Sequence, residues 1–137
     1  MDLQNLAYAL LQIVHNFGAV AVTGGSLAAL AALRAGSAPP RWLGGIVLMG
    51  WAVQIASGAG FGAVSYAYYG AFPDIHGIAI AALGVKLVCA ASGVIVAAAY
   101  VGYASRWSAA SRRRAWIGLA AFAATALSAA AFLRWFS

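Results

Sequence analysis

The sequence predicts an all-α membrane protein, a four-transmembrane-helix up-down bundle that forms one domain over residues 1–137. Of the 137 residues, 65% are hydrophobic and only 7% are charged, whereas soluble domains carry about 25% charged residues. Four apolar stretches are each long enough to cross a bilayer core of roughly 30 Å as a helix. Open strands are excluded because lipid cannot satisfy their backbone groups.

The four predicted spans cover about 6–33, 42–68, 77–104 and 115–133. Pro39 and Pro40 in the first link prevent one continuous helix from joining the first two spans. The second link, 70–74, and the third link, 106–114, are also short. Short links make consecutive helices antiparallel neighbours, and no separate soluble domain fits between them.

Basic residues are concentrated in the first and third links, which explains most of the net charge of +6. In this apolar chain the charge indicates membrane topology and not nucleic-acid binding. The positive-inside rule predicts that these two links are cytoplasmic and that both termini lie on the outer (periplasmic) side of a bacterial inner membrane. The arginines are Arg34, Arg41, Arg106, Arg112, Arg113 and Arg114.

Two ionisable residues, His15 and Lys86, lie inside the predicted spans. An ionisable group at such a position costs about 3 kcal/mol, so each one requires an explanation. Both lie about nine residues, or roughly 13 Å, below the outer end of their spans, which predicts one shared site. Gln12 shares a polar helical face with His15, and Gln54 is polar within the second span. We therefore expect these four residues to contact a cofactor.

Several roles are compatible with these residue types. His15 either forms a hydrogen bond between helices or binds haem iron or copper, because neutral imidazole suits both metals. Lys86 is a buried amine held by carbonyl groups, a neutral amine, or a cation that faces a propionate, a substrate carboxylate or a quinone oxygen. His76 is a second candidate metal ligand. It begins the third span roughly 13 Å above His15, so the two reach one ion only if the segment before His76 dips inward. Otherwise His76 binds a metal or a proton with Asp74, or is a solvated interface residue.

Two segments resemble a known family. The first helix reads Leu11-Gln-Ile-Val-His15-Asn-Phe-Gly18, followed by Gly24-Gly25, and the third reads Gly84-Val-Lys86-Leu-Val. They resemble the opening His-x-x-Gly helix and the membrane-embedded lysine of the CopD-like membrane proteins, which are also similar to the HemJ-type protoporphyrinogen oxidases. The resemblance implies a small bundle that handles haem, porphyrin or copper, with His15 as a haem ligand and Lys86 as its essential partner.

We therefore expect a haem b-associated or redox-linked integral membrane protein, with copper as the alternative cofactor. The alternative functions are a transport component for copper or a small solute, and a non-catalytic anchor or assembly subunit of a larger complex. Its partners would be the lipid bilayer and either a second copy of the chain or another membrane redox subunit. Motifs for nucleotide or acyl-transfer chemistry do not occur in the sequence. The sequence leaves open whether the protein is an enzyme.

Overall fold

A computed structural model describes residues 2–136 and contains four long α-helices. They are α1 (Leu3–Arg34), α2 (Arg41–Tyr69), α3 (Ile78–Tyr103) and α4 (Ala109–Phe136), and a short 3₁₀ turn, Ala104–Arg106, follows α3. All four are long and apolar enough to cross a membrane. The predicted four-helix bundle is confirmed, and the chain is a multi-pass membrane protein.

The ends of the helices are set by local hydrogen bonds more than by hydropathy. The Asp2 carboxylate accepts a hydrogen bond from the backbone N–H of Gln4 at 3.0 Å and caps α1. In the same way, the Ser108 hydroxyl accepts from the backbone N–H of Ser111 at 3.1 Å. Helix α4 therefore begins at Ala109, well before the predicted span at residue 115. The run 112–114 lies in the first turns of a helix and not in a link, because apolar composition marks the hydrocarbon boundary and not the first helical residue.

The helices form a ring in which α1 packs against α2 and α4, and α3 packs against the same two helices. The closest packing occurs within the sequential pairs, α1 with α2 and α3 with α4, while the α2–α3 and α1–α4 contacts are less extensive. The bundle is therefore two helical hairpins packed side by side. Helices α1 and α3 lie on a diagonal, so only long side chains can connect them across the centre.

Large side chains fill one half of this bundle. We call the end with the α1–α2 and α3–α4 links the arginine end, and the opposite end the termini end. Trp51, Tyr100 and Trp116 are almost completely buried in the arginine-end half. The Tyr100 and Trp116 rings meet edge to face, with centroids 4.8 Å apart. The Trp51 ring packs directly on Gly93, where an added Cβ would lie 2.3 Å from the indole.

The termini-end half is packed more openly. Every buried residue of α1 lies at or beyond Gly18, so the stretch before Gly18 contributes no buried residue. On α3 and α4 the buried positions nearest this end are alanines, namely Ala79, Ala82 and Ala129. Small side chains fill little of the space between the two hairpins. Polar groups at mid-depth therefore lie at the boundary between a closed half and an open half.

We predict that Gly93→Ala destabilises the bundle by about 1–3 kcal/mol, because the new methyl group overlaps the indole of Trp51. The matched control is Gly84→Ala on the same helix, where an added Cβ meets nothing within 4 Å. The control should have the same unfolding temperature as the wild type or a slightly higher one, since alanine favours the helix more than glycine does. The two variants are compared by thermal unfolding in detergent, with circular dichroism as the probe. Equal unfolding temperatures for the two variants would contradict the packing of Trp51 on Gly93.

Candidate intramembrane site

A chain of hydrogen bonds joins three helices at the middle of the bundle. His15 of α1 lies between Ser57 of α2 and Lys86 of α3. The distance from His15 Nδ1 to Ser57 Oγ is 2.7 Å, and the distance from His15 Nε2 to Lys86 Nζ is 3.2 Å. The sequence-based expectation that His15 and Lys86 share one site is thus confirmed as a direct contact. Lys86 makes this contact across the diagonal of the ring.

The direction of each hydrogen bond follows from the single proton of the serine hydroxyl. Ser57 Oγ lies 2.5 Å from the backbone oxygen of Val53 and donates to it, as serine does within a helix. The oxygen is then an acceptor for His15 Nδ1–H. His15 Nε2 keeps its lone pair and accepts a hydrogen bond from the Lys86 amine. His15 is therefore a neutral imidazole with a defined tautomer and orientation.

Gln54 supports the helix that carries His15. Its side-chain amide donates a hydrogen bond to the backbone oxygen of His15. Gly18 makes room for this contact, because an added Cβ there would lie 2.9 Å from Gln54 Nε2. Gln54 thus holds the α1 backbone and does not contact the imidazole in this structure.

Aromatic rings cover the site on the side of the termini end. The Phe61 ring meets the His15 imidazole edge to face, with centroids 5.7 Å apart. Tyr8 stacks on the other side of Phe61 with a centroid distance of 6.2 Å. Both rings are partly exposed, and they shield the imidazole from one direction.

The other candidate residues lie apart from this group. Gln12 is exposed on α1, and its amide donates to Asn16 Oδ1 at 2.7 Å. His76 lies in the segment before α3 with its side chain 78% exposed, and its Nε2 is 3.3 Å from Asp74 Oδ1. The segment does not bury His76 in the bundle, and the structure does not bring it together with His15. Within residues 2–136 there is no group of three or more His, Cys, Asp or Glu side chains that could hold a metal ion.

Ser57 belongs to the polar face of the second span that the sequence indicates, but it was not among the residues expected to contact a cofactor. It lies three residues after Gln54, hence on the same face of α2, and this spacing is the signal for it. A serine in a membrane helix is usually satisfied by its own backbone, so its second role as an acceptor for His15 depends on which helices are neighbours.

No family model matches this sequence, and neither a curated protein nor a solved structure matches it. The class of protein therefore rests on the fold and the site. It is a multi-pass helical membrane protein with a hydrogen-bonded His–Lys pair inside the bundle.

We predict that Ser57→Ala lets the His15 imidazole populate both neutral tautomers, because the substitution removes the hydrogen-bond acceptor for Nδ1–H. With only two histidines in the chain, ¹⁵N nuclear magnetic resonance of histidine-labelled protein can resolve both, and His76→Gln identifies the remaining signal. The wild type should show the Nδ1–H form of His15, and Ser57→Ala should show a mixture. Ser128→Ala is the control, since that hydroxyl bonds only within α4. A wild-type signal of the Nε2–H form would overturn the assigned hydrogen-bond directions.

Proposed function

We propose that this chain is a haem b-associated, redox-linked integral membrane protein in which His15 Nε2 is the iron ligand. The observation that carries the proposal is the orientation of the imidazole. Its Nδ1–H is held by Ser57, and its Nε2 lone pair faces the bundle interior. Metal-ligating histidines have this arrangement, in which a partner of one nitrogen sets the tautomer and leaves the other nitrogen as the ligand.

The donor set suits haem better than copper. Haem iron needs only axial ligands from the protein, so a single imidazole is enough. Copper transport requires several protein donors at each site. The described residues hold no such cluster of His, Cys, Asp and Glu, and Met49 is exposed on α2. Bound haem would supply one-electron redox chemistry, while the polypeptide orients the imidazole and limits the access of water.

Lys86 would play a second part in this site. Asp2 and Asp74 are the only acids of the sequence, and both are exposed outside the helices. The Lys86 amine hydrogen-bonds only to His15 among the described residues. An anionic group on a ligand, such as a propionate, would balance its charge inside the membrane. Since Lys86 now occupies the Nε2 lone pair, its flexible stem must swing aside when iron binds there.

We predict that purified protein given haem b develops a Soret band that His15→Ala abolishes, because the variant lacks the axial ligand. Lys86→Met should keep the band but weaken haem binding about tenfold, the effect of one charge-assisted contact. Absorption titrations in neutral detergent measure both effects. The control is His76→Gln, which leaves the buried pair intact and should behave like the wild type. A Soret band of equal intensity in His15→Ala, or none in the wild type, would contradict the proposal.

We also propose that both termini lie on the outer side of a bacterial inner membrane, and that the protein works beside a partner redox subunit. The orientation is supported by the unequal distribution of arginines, because the arginine end carries six of them and the termini end carries only Arg134. Arg41 also donates to the backbone oxygen of Val101 at 2.7 Å. Helix α1 carries no charged residue between Leu3 and Leu33, so its charges do not favour the opposite orientation in the membrane.

We predict that reporters fused to either terminus are active only as periplasmic reporters. Alkaline phosphatase after residue 137 should be active, whereas a fluorescent reporter that folds only in the cytoplasm should be dark. Replacing the arginines at 112–114 by glutamine should reduce this bias, since they lie beside the third link. Bright cytoplasmic fluorescence from the unaltered sequence would reverse the proposed orientation.

A further inference from the structure

Two amide side chains face outward from the middle of the bundle. Gln12 and Asn16 are both exposed, although they lie well inside the span of α1, Leu3–Arg34. Gln12, the first residue of the pair, lies about 14 Å along the helix axis from the start of α1 at Leu3. Exposed apolar residues surround the pair, including Ile13 and Val20. Amides at this depth on a lipid-facing surface are unfavourable unless a protein group meets them.

The pair is only partly satisfied by its own hydrogen bond. Gln12 Nε2 donates to Asn16 Oδ1 at 2.7 Å. The Gln12 carbonyl oxygen, both N–H groups of the Asn16 amide and the second N–H of Gln12 have no side-chain partner among the described residues. The exposed hydroxyl of Ser128 on α4 differs, because it donates to Ala124 within its own helix.

We propose that this surface of α1 is the interface with a second copy of the same chain. Two copies with the same orientation in a membrane are related by a two-fold axis along the bilayer normal. Each residue near that axis then meets its own counterpart at the same depth. An amide is self-complementary, because it both donates and accepts, so it can pair with its own copy without a charge penalty.

The surroundings of the pair permit close approach of two helices. Ala9 is small and exposed one turn before Gln12 and Ile13, which allows the backbones to come near one another. Six of the seven arginines lie at the far end of the bundle, while Arg134 lies in the last turn of α4 and Asp2 lies before α1. The α1 surface itself carries no charged residue between Leu3 and Leu33. Two α1 helices can therefore meet along this half without repulsion, despite the net charge of +6. This inference does not depend on the proposed haem ligation, because the amide pair and the His15–Lys86 contact share no hydrogen bond.

The first test compares the oligomeric state of two double variants by light scattering over a dilution series in detergent micelles. Gln12→Leu with Asn16→Leu should raise the dissociation constant of the dimer at least about tenfold. The control, Thr125→Val with Ser128→Ala, changes exposed polar residues on α4 and should leave the constant unchanged. Unaltered circular dichroism and unaltered histidine signals show that the bundle is intact. A monomeric wild type, or a dimer that withstands the α1 changes, would overturn the inference.

The second test detects the interface in lipid vesicles without weakening it. Cys89 is the only cysteine and is buried, so Cys89→Ala provides a background for single cysteines. Ala9→Cys should form a disulfide-linked dimer on mild oxidation, because the two copies meet near the axis. Val88→Cys, 66% exposed on α3, should stay monomeric. Equal cross-linking at the two positions would indicate random collision and refute the α1 interface.

Discussion

A polar group inside a bilayer must find its partner within protein, and the contacts of His15 are the clearest result of that constraint. No lipid group can meet a lysine amine at mid-depth, so Lys86 reaches across the diagonal of the bundle to the imidazole. The imidazole in turn needs an acceptor for its own proton and finds Ser57. Three helices are thereby held in one register. Hydrophobic burial cannot supply this specificity, because lipid tails are as apolar as the side chains they would replace.

The two halves of the bundle differ in how closely their helices pack. In the arginine-end half, the indole of Trp51 lies where Gly93 has no side chain, and this close fit gives van der Waals contact that lipid cannot match. In the termini-end half, α1 contributes no buried residue before Gly18. The His15 site lies where these halves meet. For the proposed haem site, the packed half would supply the rigid support that orients the His15 side chain.

The sequence was sufficient for the four spans and for the meeting of His15 with Lys86, because both depend on depth alone. Depth follows from residue count along a helix of known rise. The sequence could not predict which way each side chain points around its helix axis. Gln12 and His15 are three residues apart and were assigned to one face, yet Gln12 points outward while His15 points inward. The start of α4 was missed because the serine cap at Ser108 acts outside the apolar stretch.

The hydrogen bond between His15 and Lys86 would also couple the two residues in the binding of the proposed ligand. Lys86 and any metal at His15 compete for the same Nε2 lone pair, because Ser57 holds the other nitrogen. A ligand that takes this lone pair would release the amine, and the amine would then need an anion, since neither acid of the chain lies within the spans. A ligand that carries both an electron-deficient centre and an anionic group would satisfy both residues at once. A bare cation would leave the amine unpaired beside a second positive charge. Under the proposed function, the site would therefore discriminate by the combination of charges on the ligand, with only one imidazole and one amine.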